Sequence, residues 1–299
     1  MTGPDQPDPD AAGLRAYSSP VSMMQDIGAW LEKAPIDRTI MLGALGGSTG
    51  FADGDIAAVL TDPDTGRIRA ACLREGKVWP MSIAAETAED AAHLARHVAQ
   101  GIKAGLYTAV DRLVGPLPLA TAGADALFGQ SMWQEEHRLL CYRLADDAVP
   151  PELPDGFGLR WAEQDDRDLV IDWSIGFGSD TGLPPQEWER SHVESRAHKR
   201  LTGDNLLFLL DASGAPLSMA GHSRCGQSLA RIGGVYTPAD LRGKGYAALT
   251  VAHLCDALRK RGLAEICLYA DAANPTSNAL YQRIGFALHD QHCTVKRLP

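Results

Sequence analysis

The stretch VYTPADLRGKGYAALTVAHL, residues 235–254, decides the fold that we predict for this chain. Its centre reads Arg242-Gly243-Lys244-Gly245-Tyr246-Ala247 and fits the pattern Arg/Gln-x-x-Gly-x-Gly/Ala. Apolar residues at helical spacing follow, so the loop leads into a long helix. The N–H groups of a helix N-terminus attract phosphate, and glycines let backbone amides approach its oxygens closely. The loop therefore predicts a binding site for a pyrophosphate group.

The side chains of the loop support this interpretation. Arg242 and Lys244 add positive charge, and the small Ala247 lets the helix pack on the strand behind it. A plain surface turn is the simplest alternative. A dinucleotide-binding loop is another, but its third glycine is replaced here by Ala248, and such a loop turns directly from its strand. Here Tyr-Thr-Pro-Ala-Asp, residues 236–240, stands between the strand and the loop.

The strand before the loop, GGVYTP, carries two glycines and a proline that cannot donate to a strand ladder. We expect it to bulge or splay and to leave backbone N–H and C=O groups free. Such groups can pair with an extended ligand that carries amides, as in the addition of a strand to a sheet. Pantetheine is a ligand of this kind.

A second constellation lies in ADAANPTSNALYQRIGF, residues 270–286. Asn274 before Pro275 is a strong helix start, and Gly285 is well placed to end the helix. Asn274, Asn278 and Tyr281 are four and three residues apart, so they lie along one helix face. Taken alone, Asn274 could simply cap the helix, and Tyr281 could simply pack.

Together, the two stretches resemble motif A and motif B of the GCN5-related N-acetyltransferase (GNAT) superfamily, including the helix and strand between them. The resemblance implies that acetyl-CoA is the co-substrate. It implies that the backbone of Val235, Tyr236 and Thr237 contacts pantetheine and that Arg242, Gly243, Lys244, Gly245, Tyr246 and Ala247 hold the pyrophosphate. It also implies that Asn274 bonds the pantetheine arm and that Tyr281 protonates the departing thiolate.

The family mechanism implied by the resemblance is direct attack of a primary amine on the thioester in a ternary complex. Many members place a Glu on the strand of motif A, but LARIGGVYT, residues 229–237, contains no acid. The general base is therefore left open between Asp271, His222, Glu187 and a water chain. Trp161, Trp173 and Trp188 could line an acceptor pocket, although packing in the core is the simpler interpretation.

The first half echoes the element order of the second: strand, strand, strand, helix, strand, helix. It has no Arg-x-x-Gly-x-Gly/Ala loop, and Glu86-Thr87-Ala88-Glu89-Asp90 is acidic where a pyrophosphate site would be basic. The prolines and acids of residues 146–158 mark a boundary. We predict a disordered tail over residues 1–18, a degenerate GNAT-like domain over 19–150 and an acetyl-CoA-binding catalytic domain over 151–299. The fold class is α/β (α+β), and each domain is expected to be a mixed, mostly antiparallel twisted sheet flanked by helices.

Composition limits the partners. A formal net charge of −10 argues against nucleic acid and anionic membranes and favours a cationic amine as the small-molecule acceptor. No apolar run is long enough to cross a bilayer, and the start of the chain does not read as a secretory signal. Six cysteines without CxxC spacing predict buried reduced thiols, no metal site and a cytoplasmic protein. The sequence leaves open whether the chain forms a homodimer.

Two other functions compete with small-molecule N-acetylation. One is a different acyl transfer on the same tandem scaffold, such as that of a peptide ligase dependent on aminoacyl-tRNA or that of a mycothiol-synthase-like enzyme. The pyrophosphate loop and the acidic composition speak against the tRNA version. The other is a non-catalytic acyl-CoA sensor, which would not need Tyr281.

Overall fold

The computed structural model describes residues 13–48, 50–76, 79–181 and 189–299. These residues form two compact units. The first contains the described residues up to Cys141 together with Ala270–Asn274 and His289–Pro299, and the second contains Tyr142–Tyr269 and Pro275–Leu288. Glu187 and Trp188 lie outside the described residues.

The first unit contains the predicted order strand, strand, strand, helix, strand, helix, from β2 to α4. Its elements are β1 (Leu14–Ala16), α1 (Pro20–Leu31), α2 (Thr39–Gly47), β2 (Ile56–Thr61), β3 (Ile68–Arg74), β4 (Met81–Ala85), α3 (Ala88–Lys103), β5 (Arg112–Pro116), α4 (Leu117–Phe128) and most of β6 (Trp133–Leu144). Capping explains where two helices begin. The Ser19 hydroxyl accepts the Ser22 N–H ahead of α1, and the Thr87 hydroxyl accepts the Asp90 N–H ahead of α3.

The sheet of the first unit contains a strand from far along the sequence. Strands β1 to β4 pair antiparallel in order, and β5 runs parallel to β4. The far side of β5 pairs antiparallel with β12 (Phe286–Arg297), through residues 292–296. Cys293 and Val295 are fully buried and belong to the hydrophobic core of this unit. The first unit is therefore completed by residues that follow the whole second unit in sequence.

The second unit repeats the element order of the first. Its elements are β7 (Gly158–Trp161), α5 (Arg167–Thr181), α6 (Arg190–Leu201), β8 (Leu206–Leu210), β9 (Pro216–Cys225), β10 (Leu229–Tyr236), α7 (Tyr246–Lys260), β11 (Glu265–Asp271) and α8 (Pro275–Arg283). Strands β7 to β10 are antiparallel neighbours, and β11 runs parallel to β10. Helix α7 packs on β8, β9 and β10, and helix α5 packs on α6 and β10.

Two hairpins, β2–β3 and β8–β9, have turns that aspartate side chains fix. In the turn between β2 and β3, the Asp62 carboxylate accepts the Thr65 N–H at 2.9 Å. In the turn between β8 and β9, the Asp211 carboxylate accepts the Ser213 N–H at 2.8 Å. Short acidic side chains that bond their own backbone two or three residues on are typical turn formers.

One sequence prediction differs from the structure, and one strand is not among the predicted elements. The tail predicted over residues 1–18 is interrupted by β1, because Leu14 packs on the core and Ala16 pairs with Ala58 of β2. The additional strand is β6. Helix α4 begins at Leu117, because Pro118 fits the first turn of a helix. The boundary near residue 150 stays a prediction.

All six cysteines are buried, as expected, and none of them forms a disulfide in the structure described here. In the part of the chain that the structure describes, no helix is long and apolar enough to cross a membrane.

The first unit should lose stability in acid because of His292. This side chain is fully buried on β12, and burial lowers its pKa to about 4, below the ordinary value of 6.5. Between those values the unfolded chain binds a proton that the folded chain does not. The free energy of unfolding should therefore fall by up to about 3 kcal/mol as the pH drops from 7 to 4.

The variant His292→Leu should show a smaller fall over this range, measured by urea unfolding at several pH values with hydrogen exchange on β5 as a local probe. Parallel curves for the variant and the native chain would contradict this assignment.

Candidate active site

Strand β10 is bulged in the middle of the second unit. Its ladder with β9 pairs Gly233 with Gly221 and next pairs Tyr236 with Met219, so Gly234 and Val235 are skipped. Its parallel ladder with β11 ends at the pair Ile232–Leu268. The backbone from residue 233 to 235 therefore has an open side, as predicted from the two glycines and the proline. An extended ligand with amide groups could add to this edge.

The chain beyond the bulge is tied down by Ser218 of β9, which is fully buried. The Ser218 hydroxyl donates to the Tyr236 carbonyl at 3.0 Å and accepts from the Thr237 hydroxyl at 2.9 Å. The Arg242 Nε–H then donates to the Thr237 carbonyl at 2.9 Å. These bonds connect the bulge to the glycine-rich loop, so one buried hydroxyl helps to fix both.

Helix α7 begins without a side-chain cap. Gly245 is its N-cap, with φ of 83° and ψ of 4°, and the first turn contains no acidic residue. The first bond of the helix runs from the Leu249 N–H to the Gly245 carbonyl, so the N–H groups before Leu249 have no partner within the helix. No atom of the described residues lies within 4 Å of the Cβ position of Gly243 or Gly245. An anion has both the donors and the space that it needs here.

The matching helix of the first unit is closed to an anion. Helix α3 is capped by Thr87, and its first turn carries Glu89 and Asp90. The Asp90 carboxylate forms an ion pair with Arg69. In the neighbouring strands, Ile83 of β4 lies against Gly115 of β5. The two units thus share an element order but differ at one helix start. The start of α7 is open and has basic residues beside it, whereas the start of α3 is capped and acidic.

Arg242 is held by a carboxylate in this structure. Its guanidinium forms an ion pair with Asp180 at the end of α5, and both side chains are 46% exposed. It also lies 5.7 Å from the centre of the Tyr236 ring. A phosphate group would compete with Asp180 for the same guanidinium.

Helix α5 lies unusually close to β10. A Cβ at Gly176 would collide with the Tyr236 hydroxyl, so only glycine allows this approach. The Trp173 ring packs against Tyr236, with ring centres 5.9 Å apart, and against Phe208, with centres 5.7 Å apart. Trp173 is therefore part of the packing, as the simpler sequence interpretation held.

Tyr281 of α8 sits in an aromatic cluster. Its ring centre is 6.5 Å from that of Tyr142 and 6.0 Å from that of Phe286. Burial raises the pKa of Tyr281 to about 12, so the phenol keeps its proton at neutral pH. The Tyr142 hydroxyl donates to the Asn278 amide oxygen and accepts from the Gln282 amide, both at 3.3 Å. These contacts of Tyr142 fix the position of α8, the helix that carries the protonated Tyr281 phenol.

The remaining sequence candidates have other surroundings. Asn274 and Asp271 fall in the first unit, where the Asp271 carboxylate accepts the Ala273 N–H at 2.8 Å. The predicted start of α8 directly after Asn274 is confirmed, but its contact with a cofactor stays a prediction. His222 packs against Trp161, whose ring also lies 4.1 Å from the Arg261 guanidinium. Burial and the charge of Arg261 lower the pKa of His222. Its role as a base stays untested.

Sequence reasoning missed several residues of this region: Tyr142, Ser174, Gly176, Asp180, Arg200 and Ser218. Most of them meet the site through tertiary contacts that have no local pattern. The sequence contained a weak indication of Arg200, because α6 is a very polar helix in which Arg196 and Arg200 stand four residues apart.

Comparisons with known proteins agree with this geometry. Residues 172–286 match the family model described as the acetyltransferase (GNAT) family. The match covers a little over a third of the chain, all of it in the second half. A mycothiol acetyltransferase of Salinispora tropica is 32% identical over 152 residues, which are 48% of this chain and 48% of that protein. The chain thus matches about half the length of this curated relative.

Solved structures show the same fold over nearly the whole chain. A GCN5-related N-acetyltransferase from Sphaerobacter thermophilus has a TM-score of 0.64 at 18% identity, over 95% of both chains. A tandem GNAT protein from the clavulanic acid biosynthesis pathway has a TM-score of 0.59 at 15% identity, over 94% of this chain and 97% of that one. The α/β fold class with two GNAT-like domains is confirmed.

Removal of the Asp180 carboxylate should strengthen binding of CoA. In Asp180→Asn the Arg242 guanidinium no longer has a competing anion. Because an exposed ion pair contributes at most about 1 kcal/mol, the Kd for CoA should fall by up to about five-fold, measured by calorimetry. Asp172→Asn, which removes a carboxylate from the same helix, serves as the control and should leave the Kd unchanged. Weaker binding in Asp180→Asn would mean that Asp180 orients Arg242 for the ligand.

Proposed function

We propose that the second unit transfers the acetyl group of acetyl-CoA to a primary amine of a small molecule, by direct attack in a ternary complex. The observation that carries this proposal is the uncapped, acid-free start of α7 next to the bulged end of β10. A phosphate-bearing ligand with an amide-containing arm matches both features at once. The family match over residues 172–286 supports the same conclusion.

The residues present fit acetyl-CoA. The N–H groups at the start of α7 and the charges of Arg242 and Lys244 suit a pyrophosphate. The open backbone of residues 233–235 suits the amides of pantetheine. The Val235 or Tyr236 N–H would stabilise negative charge on the thioester oxygen.

Acetyl-CoA supplies an activated acyl group with a thiolate as the leaving group. The amine nitrogen forms a bond to the carbonyl carbon, and the C–S bond breaks. The Tyr281 phenol gives its proton to the departing sulfur and later regains one from solvent. The proton lost by the amine goes to a base that we leave open between His222, Asp271, Glu187 and water.

The first unit is not a second acetyl-CoA site in this proposal. Its α3 start is capped and acidic, and so we assign it no acetyl-CoA. We propose that this helix start takes no part in binding the co-substrate and that the chain binds one CoA. No nucleic acid or membrane partner is included, and a cytoplasmic location and a homodimer remain expectations from the sequence.

An acceptor panel tests the activity. The full chain, acetyl-CoA and one acceptor at a time (polyamines, aminoglycosides, amino acids or peptide N-termini) should release free CoA thiol with at least one class. Calorimetry should give one CoA per chain, and Lys244→Glu should weaken that binding because it puts a negative charge beside the phosphates. Saturable binding without thiol release for any acceptor would favour the sensor function, and two CoA per chain would contradict the role of the first unit.

Tyr281→Phe should lower kcat by about 10²- to 10⁴-fold, the usual contribution of a general acid, while the Kd for CoA changes less than about two-fold. Tyr142→Phe is the matched control, because it removes a neighbouring phenol that bonds Asn278 and Gln282 among the described residues. The variant Tyr142→Phe should lower kcat by less than about ten-fold. Since the pKa of Tyr281 is about 12, the native enzyme should show no loss of activity from phenol ionisation below pH 10. Equal losses in both variants would mean that Tyr281 only packs.

A further inference from the structure

Arg200, at the end of α6, lies directly against the bulge of β10. A Cβ at Gly234 would meet the two terminal nitrogens of Arg200 at 2.8 and 3.0 Å, and Gly234 has φ of 63°. Glycine is thus required here by the guanidinium as well as by the backbone. The contact brings a positive charge to the strand segment that would present the thioester.

The guanidinium has few protein partners for its five N–H groups. Its Nη1 donates to the Ser174 hydroxyl at 3.2 Å, and that hydroxyl donates onward to the Val170 carbonyl at 2.6 Å. Several other arginines among the described residues are held by a carboxylate, as Arg160 is by Asp166. Within the described ranges, no Asp or Glu forms such an ion pair with Arg200.

The charge nearest to Arg200 is also positive. Desolvation lowers the pKa of Arg200, and the positive charge of Arg196 lowers it further. The guanidinium still keeps its proton at neutral pH, because its ordinary pKa is far above 7. A half-buried guanidinium with few protein partners and a like-charged neighbour is suited to bind an anion.

We propose that Arg200 binds the carboxylate of the acceptor, and that the acceptor is a small amino acid whose amine lies only a few bonds from that carboxylate. This proposal rests on the acetyl transfer proposed above. The short spacing follows from the contact with Gly234, because an anion on Arg200 is already beside the bulge where the amine must attack. A planar guanidinium pairs with a carboxylate through two parallel hydrogen bonds, which would also orient the amine.

The same charge disfavours polyamines. A second ammonium group near the bulge would face the Arg200 guanidinium and would be repelled. The overall charge of −10 favours cationic acceptors, but the charge at the site acts over shorter distances and should decide.

The test compares amino acids with their amides, which keep the amine and lack the carboxylate. In the native chain, kcat/KM from thiol release should be higher for the amino acids. Arg200→Gln should lower kcat/KM for the amino acids by about 10- to 150-fold, the value of a hydrogen bond to a charged group, and change that for the amides by less than about three-fold. Amino acids and their amides differ in amine basicity. This difference cancels when the kcat/KM ratio of the two substrates is compared between the native chain and Arg200→Gln.

Arg190→Gln is the matched control, since Arg190 lies on the same helix, is exposed and pairs with Asp172 and Glu194. It should leave the preference for amino acids unchanged. The Kd of CoA should be the same in both variants and in the native chain, which shows that Arg200→Gln is folded.

The outcomes separate this proposal from the proposed function. Turnover of amides or polyamines with no preference for amino acids, unaffected by Arg200→Gln, would overturn the carboxylate site and leave the acetyl transfer intact. If no acceptor is turned over, calorimetry with an N-acetyl amino acid in the presence of CoA provides a readout without activity. Binding that is lost in Arg200→Gln would support the site, and equal binding in both chains would overturn it.

Discussion

The bulge in β10 is the constraint on which the second unit depends. Two residues of this strand lack a place in the ladder with β9, and the ladder with β11 stops where the bulge begins. A regular strand would bond its backbone to both neighbours and leave nothing for a ligand. The bulge gives up a few ladder bonds, each contributing on the order of 1 kcal/mol, and keeps backbone donors and acceptors available.

The glycines around the bulge set how closely other elements approach it. Gly234 admits the Arg200 guanidinium, and Gly176 admits the Tyr236 phenol. Ser218 then fixes the chain that leads to the α7 start. The three contacts come from α6, α5 and β9, so the helices, the neighbouring strand and the binding loop are all positioned against one short segment. A change in that segment should affect cofactor and acceptor together.

The sequence was sufficient where the chemistry is local. The loop from Arg242 to Ala247, the start of α8 after Asn274 and the Asp-based turns all depend on residues that are neighbours in the chain, and patterns of this kind can be recognised directly. Arg200 could not be placed in this way, because its significance comes from Gly234 and Ser174 on other elements. The same holds for Asp180 with Arg242. The strand β6 was missed because its first residues alternate weakly between buried and exposed positions.

The pairing of β5 with β12 has a consequence for synthesis. Arg112 pairs with Lys296, a separation of 184 residues (296 − 112), and Val295 belongs to the core of the first unit. During translation the first unit therefore has an open sheet edge and an incomplete core until residues 289–297 have left the ribosome. Over that interval β5 exposes unpaired backbone, which is the kind of edge that promotes association between chains. Fast synthesis of the second unit, or a chaperone that covers β5, would shorten this period of risk.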